Sequence, residues 1–316
     1  MKRLRRWKLV LTVVAVLAVG ALLASNPVQY LFLAYLYETD LADSTPTDTT
    51  VTDVTATTDP SGRPATLLSA FFGLDNALPW ISNWGICDSA AGMDGMPVIF
   101  SHELDVESMQ AGDFEVRTAS GRLGEITCVT LAPADDRGEW RTVLVVGELG
   151  SIEDQPARVR IVGNLLSKDR SVNFVGSETG VVRLEDGPTL TWSEAVPEPD
   201  WNLGQPATRL PWGGGSGCPE GTRQVIRATW QGGVTLPGGA EVDDVVRQAY
   251  SVTVEDADGS TRDVAPFALG DLGDGDNNHS LCLDTVDPAV SVHFPAGLLT
   301  DPREDLNPET RQAVLR

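Results

Sequence analysis

Gly124-Glu-Ile-Thr-Cys-Val-Thr-Leu131 and Arg141-Thr-Val-Leu-Val-Val-Gly147 decide the fold class. Each is a short run rich in β-branched residues, and the acidic turn Asp135-Asp136 lies between them. That is the signature of neighbouring antiparallel strands. The pattern repeats on both sides. Met96–Ser101, Asp113–Thr118, Ala157–Gly163, Gly180–Leu184 and Thr189–Trp192 read as strands, with turns at Ser120-Gly121 and Asp186-Gly187. Beyond a Pro/Gly-rich stretch from Pro197 to Gly217, strands resume at Thr222–Trp230, Gln248–Glu255, Ser260–Val264 and Ala289–Phe294. Asp258-Gly259 is a hairpin turn. Many short strands with little helix argue for a mostly β fold of antiparallel sandwiches. One helix is expected: Leu67, Phe71, Leu74 and Leu78 fall at helical spacing after Pro64, and Pro79 ends the pattern.

At 316 residues the chain exceeds one ordinary domain. The expected division is an apolar N-terminal segment (1–37), a Thr/Asp-rich linker (38–64), a first sandwich with a short N-terminal helix (65–200), and a second sandwich with an acidic loop (201–316). Lys2, Arg3, Arg5, Arg6 and Lys8 precede an uncharged run from Leu9 to Ala24, which is the pattern of an export signal. A second apolar run, Tyr30–Tyr37, follows Pro27. Uncut, residues 9–37 make a single-pass signal anchor, with the body outside the membrane in the cell envelope. Cut near Ala24 or Ser25, the body is secreted or periplasmic and soluble. The polar 38–64 segment buries too little apolar area to order itself, so a disordered stalk is expected.

The formal charge is −22. Five of the 23 basic residues sit in the first eight positions, so 18 basic residues face 45 acidic ones in the rest of the chain. So acidic a body repels phosphate backbones and is a poor partner for nucleic acid. The expected contacts are the membrane, through the N-terminal helix, and a protein or glycan partner of unknown identity. Eight tryptophans, among them Trp201 and Trp212 in the Gly/Pro-rich junction, offer surfaces for such a partner or for packing.

Several stretches resemble bacterial Ig-like domains of the S-layer type. Pro97-Val-Ile-Phe-Ser-His-Glu-Leu-Asp-Val-Glu-Ser-Met109 followed by Asp113–Gly121 looks like their opening strands, and Ile161–Asp169 like their closing strand and loop. Phe294-Pro-Ala-Gly-Leu-Leu-Thr-Asp301, with Asn307 after it, is similar to the exit of such repeats. The resemblance implies two Ig-like sandwiches acting as a non-catalytic structural or interaction module, with no catalytic residues to carry over.

Cys87, Cys128, Cys218 and Cys282 number four in an exported chain, which implies two disulfides. Three pairings exist. Two cysteines fall in each expected sandwich, which favours Cys87–Cys128 and Cys218–Cys282.

The densest chemistry lies in Asp271-Leu-Gly-Asp-Gly-Asp-Asn-Asn-His-Ser-Leu-Cys-Leu-Asp284. It reads as a tight acidic loop held by a disulfide. Either it binds no cofactor, or Asp271, Asp274, Asp276, Asn278 and Asp284 supply oxygens to calcium. Asp274, Asp276 and Asn278 match the first positions of an EF-hand loop. His279 then stands where glycine is required, and Thr285 where the bidentate glutamate belongs, so the loop is not an EF-hand. Ser216 in Gly213-Gly-Gly-Ser-Gly217 is followed at the wrong position by Cys218, so it makes no nucleophile elbow. No phosphate-binding, dinucleotide-binding or zinc-protease motif occurs, and an enzyme is the least favoured reading.

Overall fold

A computed structural model describes residues 42–208 and 214–315. The fold is mostly β, and every pairing between its named strands is antiparallel. A five-stranded sheet contains, from one edge to the other, β1 (Ala42–Asp43), β5 (Glu125–Thr130), β6 (Thr142–Glu148), β3 (Asp94–Phe100) and β2 (Leu67–Ala70). Opposite it lies a three-stranded sheet of β4 (Phe114–Thr118), β7 (Pro156–Ile161) and β8 (Glu178–Gly180). The two share one core. Val98, Phe100, Val143 and Val145 from the first sheet meet Phe114, Val116, Val159 and Ile161 from the second. Phe100 stacks edge-on to Phe114 and Phe174, at 6.3 and 5.0 Å between ring centres.

The second half repeats the arrangement with two four-stranded sheets. One runs β13 (Ala268–Gly270), β14 (Asn278–Leu283), β10 (Gln224–Trp230), β9 (Leu190–Ala195). The other runs β12 (Thr261–Val264), β11 (Ser251–Glu255), β15 (Ala289–Phe294), β16 (Thr310–Ala313). Ile226, Trp230 and Leu281 pack against Val252, Val292 and Phe294 between them. The helices are short: α1 (Ser82–Gly85) and α2 (Asp244–Ala249). No helix among the described residues is long and apolar enough to cross a membrane. The N-terminal anchor expected over 1–37 lies outside them, as does Trp212.

Four expectations change. Leu67–Ala70 is strand β2, not helix. Leu67, Ala70, Phe71 and Phe72 are all buried, and so short an apolar run fits a strand enclosed on two faces as well as a helix. Residues 42–64 are not a free stalk but lie along the first sandwich. Asp48 Oδ2 accepts from the Asn164 amide and side chain, Gln110 Oε1 from Thr49 N, and Ala56 O from Asn173 N. A polar segment can thus be ordered by hydrogen bonds to a formed sandwich without burying apolar area of its own. Of the expected strand over 189–192, residues 190–192 begin β9, which pairs with β10 of the second half rather than with the first. Finally, the acidic loop spans only about 271–277; Asn278–Leu283 is β14, inside its sheet between β13 and β10.

Both disulfides are present. Cys87–Cys128 ties the loop bearing α1 to β5, and Cys218–Cys282 ties the Gly-rich segment to β14. They close spans of 41 and 64 residues. Loops of that size restrict the unfolded chain by about 4 kcal/mol each.

A polar chain crosses the second core. Trp230 Nε1 donates to Tyr250 Oη at 2.8 Å, and Tyr250 Oη lies 2.7 Å from His279 Nδ1. Tyr250→Phe leaves the indole N–H and the imidazole nitrogen without partners in an apolar core. It is expected to cost about 1–3 kcal/mol in urea unfolding, and a loss below about 0.5 kcal/mol contradicts that reading.

Candidate functional site

Strand β10 reads Gln-Val-Ile-Arg-Ala-Thr-Trp, an alternating pattern, yet all its residues after Gln224 are buried. Ile226, Ala228 and Trp230 face their own core. Arg227 and Thr229, on the opposite face, are buried too, and Arg227 is covered by the first half of the chain. The sequence places polar groups there, so the contact between halves is a buried ionic seam.

Arg227 is its centre. Its Nη1 donates to Gly138 O at 2.8 Å and to Glu194 Oε1 at 3.2 Å, and its Nη2 to Arg137 O at 3.2 Å. Its Nε lies 3.3 Å from Glu139 Oε1. Burial alone lowers the guanidinium's pKa, but Glu139, Asp271 and Glu194 outweigh it and hold the charge in place. Glu194 also takes Arg141 Nη2 at 3.0 Å, and Arg141 lies over the Trp192 ring. Gly138 has φ +94°, and a Cβ there would come within 2.6 Å of Arg227 Nη1, so glycine is required.

Around this cation the fold gathers carboxylates from two distant turns. Asp136 and Glu139 come from the β5–β6 connection, and Asp271, Asp274 and Asp276 from the β13–β14 connection. Asp136, Glu139 and Asp271 each place an oxygen within 4.8 Å of the other two. The Gly-rich segment threads between them. Gly215 N donates to Asp136 Oδ2 at 3.0 Å, and a Cβ on Gly215 would meet Asp274 Oδ2 at 2.6 Å and Asp271 Oδ1 at 2.7 Å. Burial, then the Glu139 charge, raises the pKa of Asp271, Asp274 and Asp276; Asp274 is pushed to about 7. Asp135 beside them rises to about 6, first through burial and then through Asp136 and Glu139.

Of the calcium ligands expected from sequence, Asp271, Asp274 and Asp276 therefore meet in one place. Asn278 is buried beside them, but its carbonyl oxygen accepts from Thr229 Oγ1 and its amide donates to Asp276 Oδ2. Asp284 does not join them. It is exposed past the far end of β14, a strand length of about 20 Å away. His279 points into the core, where burial drops its pKa to about 4. Glu139 and Asp136 were missed because nothing in the sequence pairs their turn with the later one.

Two other features qualify as candidate sites. An apolar cleft of about 470 Å³ opens between the halves, lined by Phe71, Leu74, Leu78, Leu144 and Gly232, with Asp276 and Asn277 on its polar side. Exposed Trp80 and Trp84, stacked edge-on at 5.4 Å, follow the Leu78-Pro79 wall. Elsewhere Ser101 Oγ lies 2.8 Å from His102 Nδ1, and His102 Nε2 lies 3.2 Å from Asp59 Oδ2. This is not a nucleophilic triad. The Ser101 hydroxyl already donates to Pro64 O and accepts from Thr66 N, so with His102 its capacity is filled.

No family profile and no curated protein matches this chain. Among solved structures it is similar to the crystal structure of the N-terminal part of the bacterial S-layer protein SbsC, with a TM-score of 0.25 and 9% identity. That match covers 80% of this chain and 44% of the other.

Asp274 offers a test. Burial and the neighbouring carboxylates push its pKa to about 7 in the folded chain, against 3.8 for a free side chain. Between those values the folded state holds more protons than the unfolded one, so stability falls as pH rises, and the loss is complete above pH 7. Asp274→Asn removes this penalty. In chelator, the variant is expected to gain on the natural protein by up to about 1.4 kcal/mol per pH unit from pH 4 to 7. A stability difference that does not change with pH would contradict the burial of this carboxylate.

Proposed function

We propose that this chain is a non-catalytic module of the cell envelope, displayed outside the membrane, which acts as a structural or interaction unit in the manner of Ig-like display domains. The observation that carries this reading is the pair of disulfides, one within each half. Such bridges belong to chains that fold in oxidising surroundings. The acidic, soluble body and the basic-then-apolar N-terminus support export in the same direction. The two sandwiches meet through a buried seam, so the module transmits load or position as one unit.

The apolar cleft favours a second reading, a binding module. Its volume falls within the range of small-ligand sites. The Trp80–Trp84 pair beside its wall gives aromatic surface of the kind that protein and glycan partners use. Nucleic acid remains a poor partner on charge grounds.

The test is made in intact cells of the native host. A membrane-impermeant protease is added outside, and cysteines are alkylated before reduction. The proposal expects digestion of the body from outside and all four cysteines blocked as two bridges. A protected chain with alkylated free thiols would sink it.

A further inference from the structure

We propose that Asp136, Glu139, Asp271 and Asp274 form a calcium site that clamps the two sandwiches together across their seam. The acidic cluster alone would not carry this. What carries it is the state of its buried oxygens. Glu139 is 1% exposed, and neither of its carboxylate oxygens accepts a hydrogen bond. Arg227 Nε lies 3.3 Å from Oε1, near enough for attraction but outside hydrogen-bond geometry. Asp271 is 8% exposed; its Oδ2 receives no N–H or hydroxyl donor, and its carboxyl group lies directly against that of Glu139. Buried polar atoms in native proteins have partners, and an unpaired buried carboxylate costs several kcal/mol. Glu139, Asp271 and Asp136 each bring one carboxylate oxygen within 4.8 Å of the other two.

The charge balance selects a divalent cation. Asp136, Glu139, Asp271, Asp274 and Asp276 face one nearby guanidinium, that of Arg227, which is shared between Glu139 and Glu194 and also donates to two backbone carbonyls. A divalent cation held among these oxygens offsets part of that excess. Ligand chemistry favours calcium. The oxygens of Asp136, Glu139 and Asp271 lie within 4.8 Å of one another. Calcium accepts irregular sets of six to eight oxygens, whereas magnesium demands near-ideal octahedral geometry and keeps several waters. The Gly214-Gly215 backbone and the turn carbonyls border the same volume, so further oxygens are within reach.

The position gives the consequence. Asp136 and Glu139 belong to the first half, and Asp271 and Asp274 to the second, so bound calcium favours the closed seam over any state in which the halves part. The module can then sense extracytoplasmic calcium, softening where the ion is scarce.

The experiment uses the full chain in mild detergent at pH 7.5, titrated with calcium chloride after chelator treatment. Expected are saturable heat at one ion per chain and a rise in Tm of roughly 5 °C at a calcium concentration about a hundredfold above Kd. Glu139→Gln and Asp271→Asn should each abolish both signals while keeping both disulfides. Asp136→Asn, at a half-buried position, should weaken binding at least tenfold without unfolding the chain, so an answer is available even where the deeper variants fail to fold. Asp284→Asn should bind as the natural protein does. The proposal is overturned by absence of heat and of a Tm rise at about 10 mM calcium, roughly tenfold above the weakest extracellular sites. It is equally overturned by a calcium response that Asp136→Asn leaves intact.

Discussion

The guanidinium of Arg227 is the interaction on which the rest of the arrangement depends. It sits on a central strand, faces away from its own core, and is nonetheless buried. A charge in that position is tolerable only if other groups replace its water. The first half provides them: the Arg137 and Gly138 carbonyls and the Glu139 carboxylate. Glu194 then couples Arg227 to Arg141, so two strands of the second half and one turn of the first share a single ionic network. Parting the halves would return these groups to water, but parting them by mutation of one member leaves the others buried and unpaired. Removing one partner of such a pair typically costs about 3–5 kcal/mol. The seam is therefore specific in register as well as adhesive.

The same seam explains the oddities of composition. The Gly-rich run before Cys218 is not a flexible joint along its described part. Gly214 and Gly215 pass so close to Asp136, Asp271 and Asp274 that a methyl group would collide with their oxygens. Cys218–Cys282 then fixes that run to β14, on which the acidic turn opens. The excess of carboxylates has a local meaning too. Where they are exposed they keep the body soluble; where Arg227 gathers them, they make an electrostatic load that something positive must meet. The cleft lies along the same junction, with Asp276 and Asn277 on its wall, so an occupant there would feel the state of the seam.

How far the sequence revealed this follows from the range of each signal. Strands such as Thr142–Glu148 and Ala289–Phe294 were legible because their pattern is local. The cysteine pairing was legible because each pair is confined to one half. Leu67–Ala70 reads as helix because Leu67, Phe71, Leu74 and Leu78 happen to fall at helical spacing, and so few positions near a proline carry no decisive period. Residues 42–64 were misread as free because their order comes from partners such as Gln110, Asn164 and Asn173, far along the chain. β14 was hidden by its neighbours: Asn278, His279 and Ser280 look like loop residues, yet they pair with Thr229, Ala228 and Arg227. Half of the acidic site was visible as a dense run of aspartates. The other half, Asp136 and Glu139, looked like an ordinary turn, because only the packing of two sandwiches brings it within reach.

The central claim is that the two sandwiches behave as one body because Arg227 is shared between them. Differential scanning calorimetry of the natural protein and of Arg227→Met tests it most directly. One cooperative transition is predicted for the natural protein, with calorimetric and van't Hoff enthalpies equal, and two separated transitions for the variant. Two independent transitions in the natural protein would contradict the account.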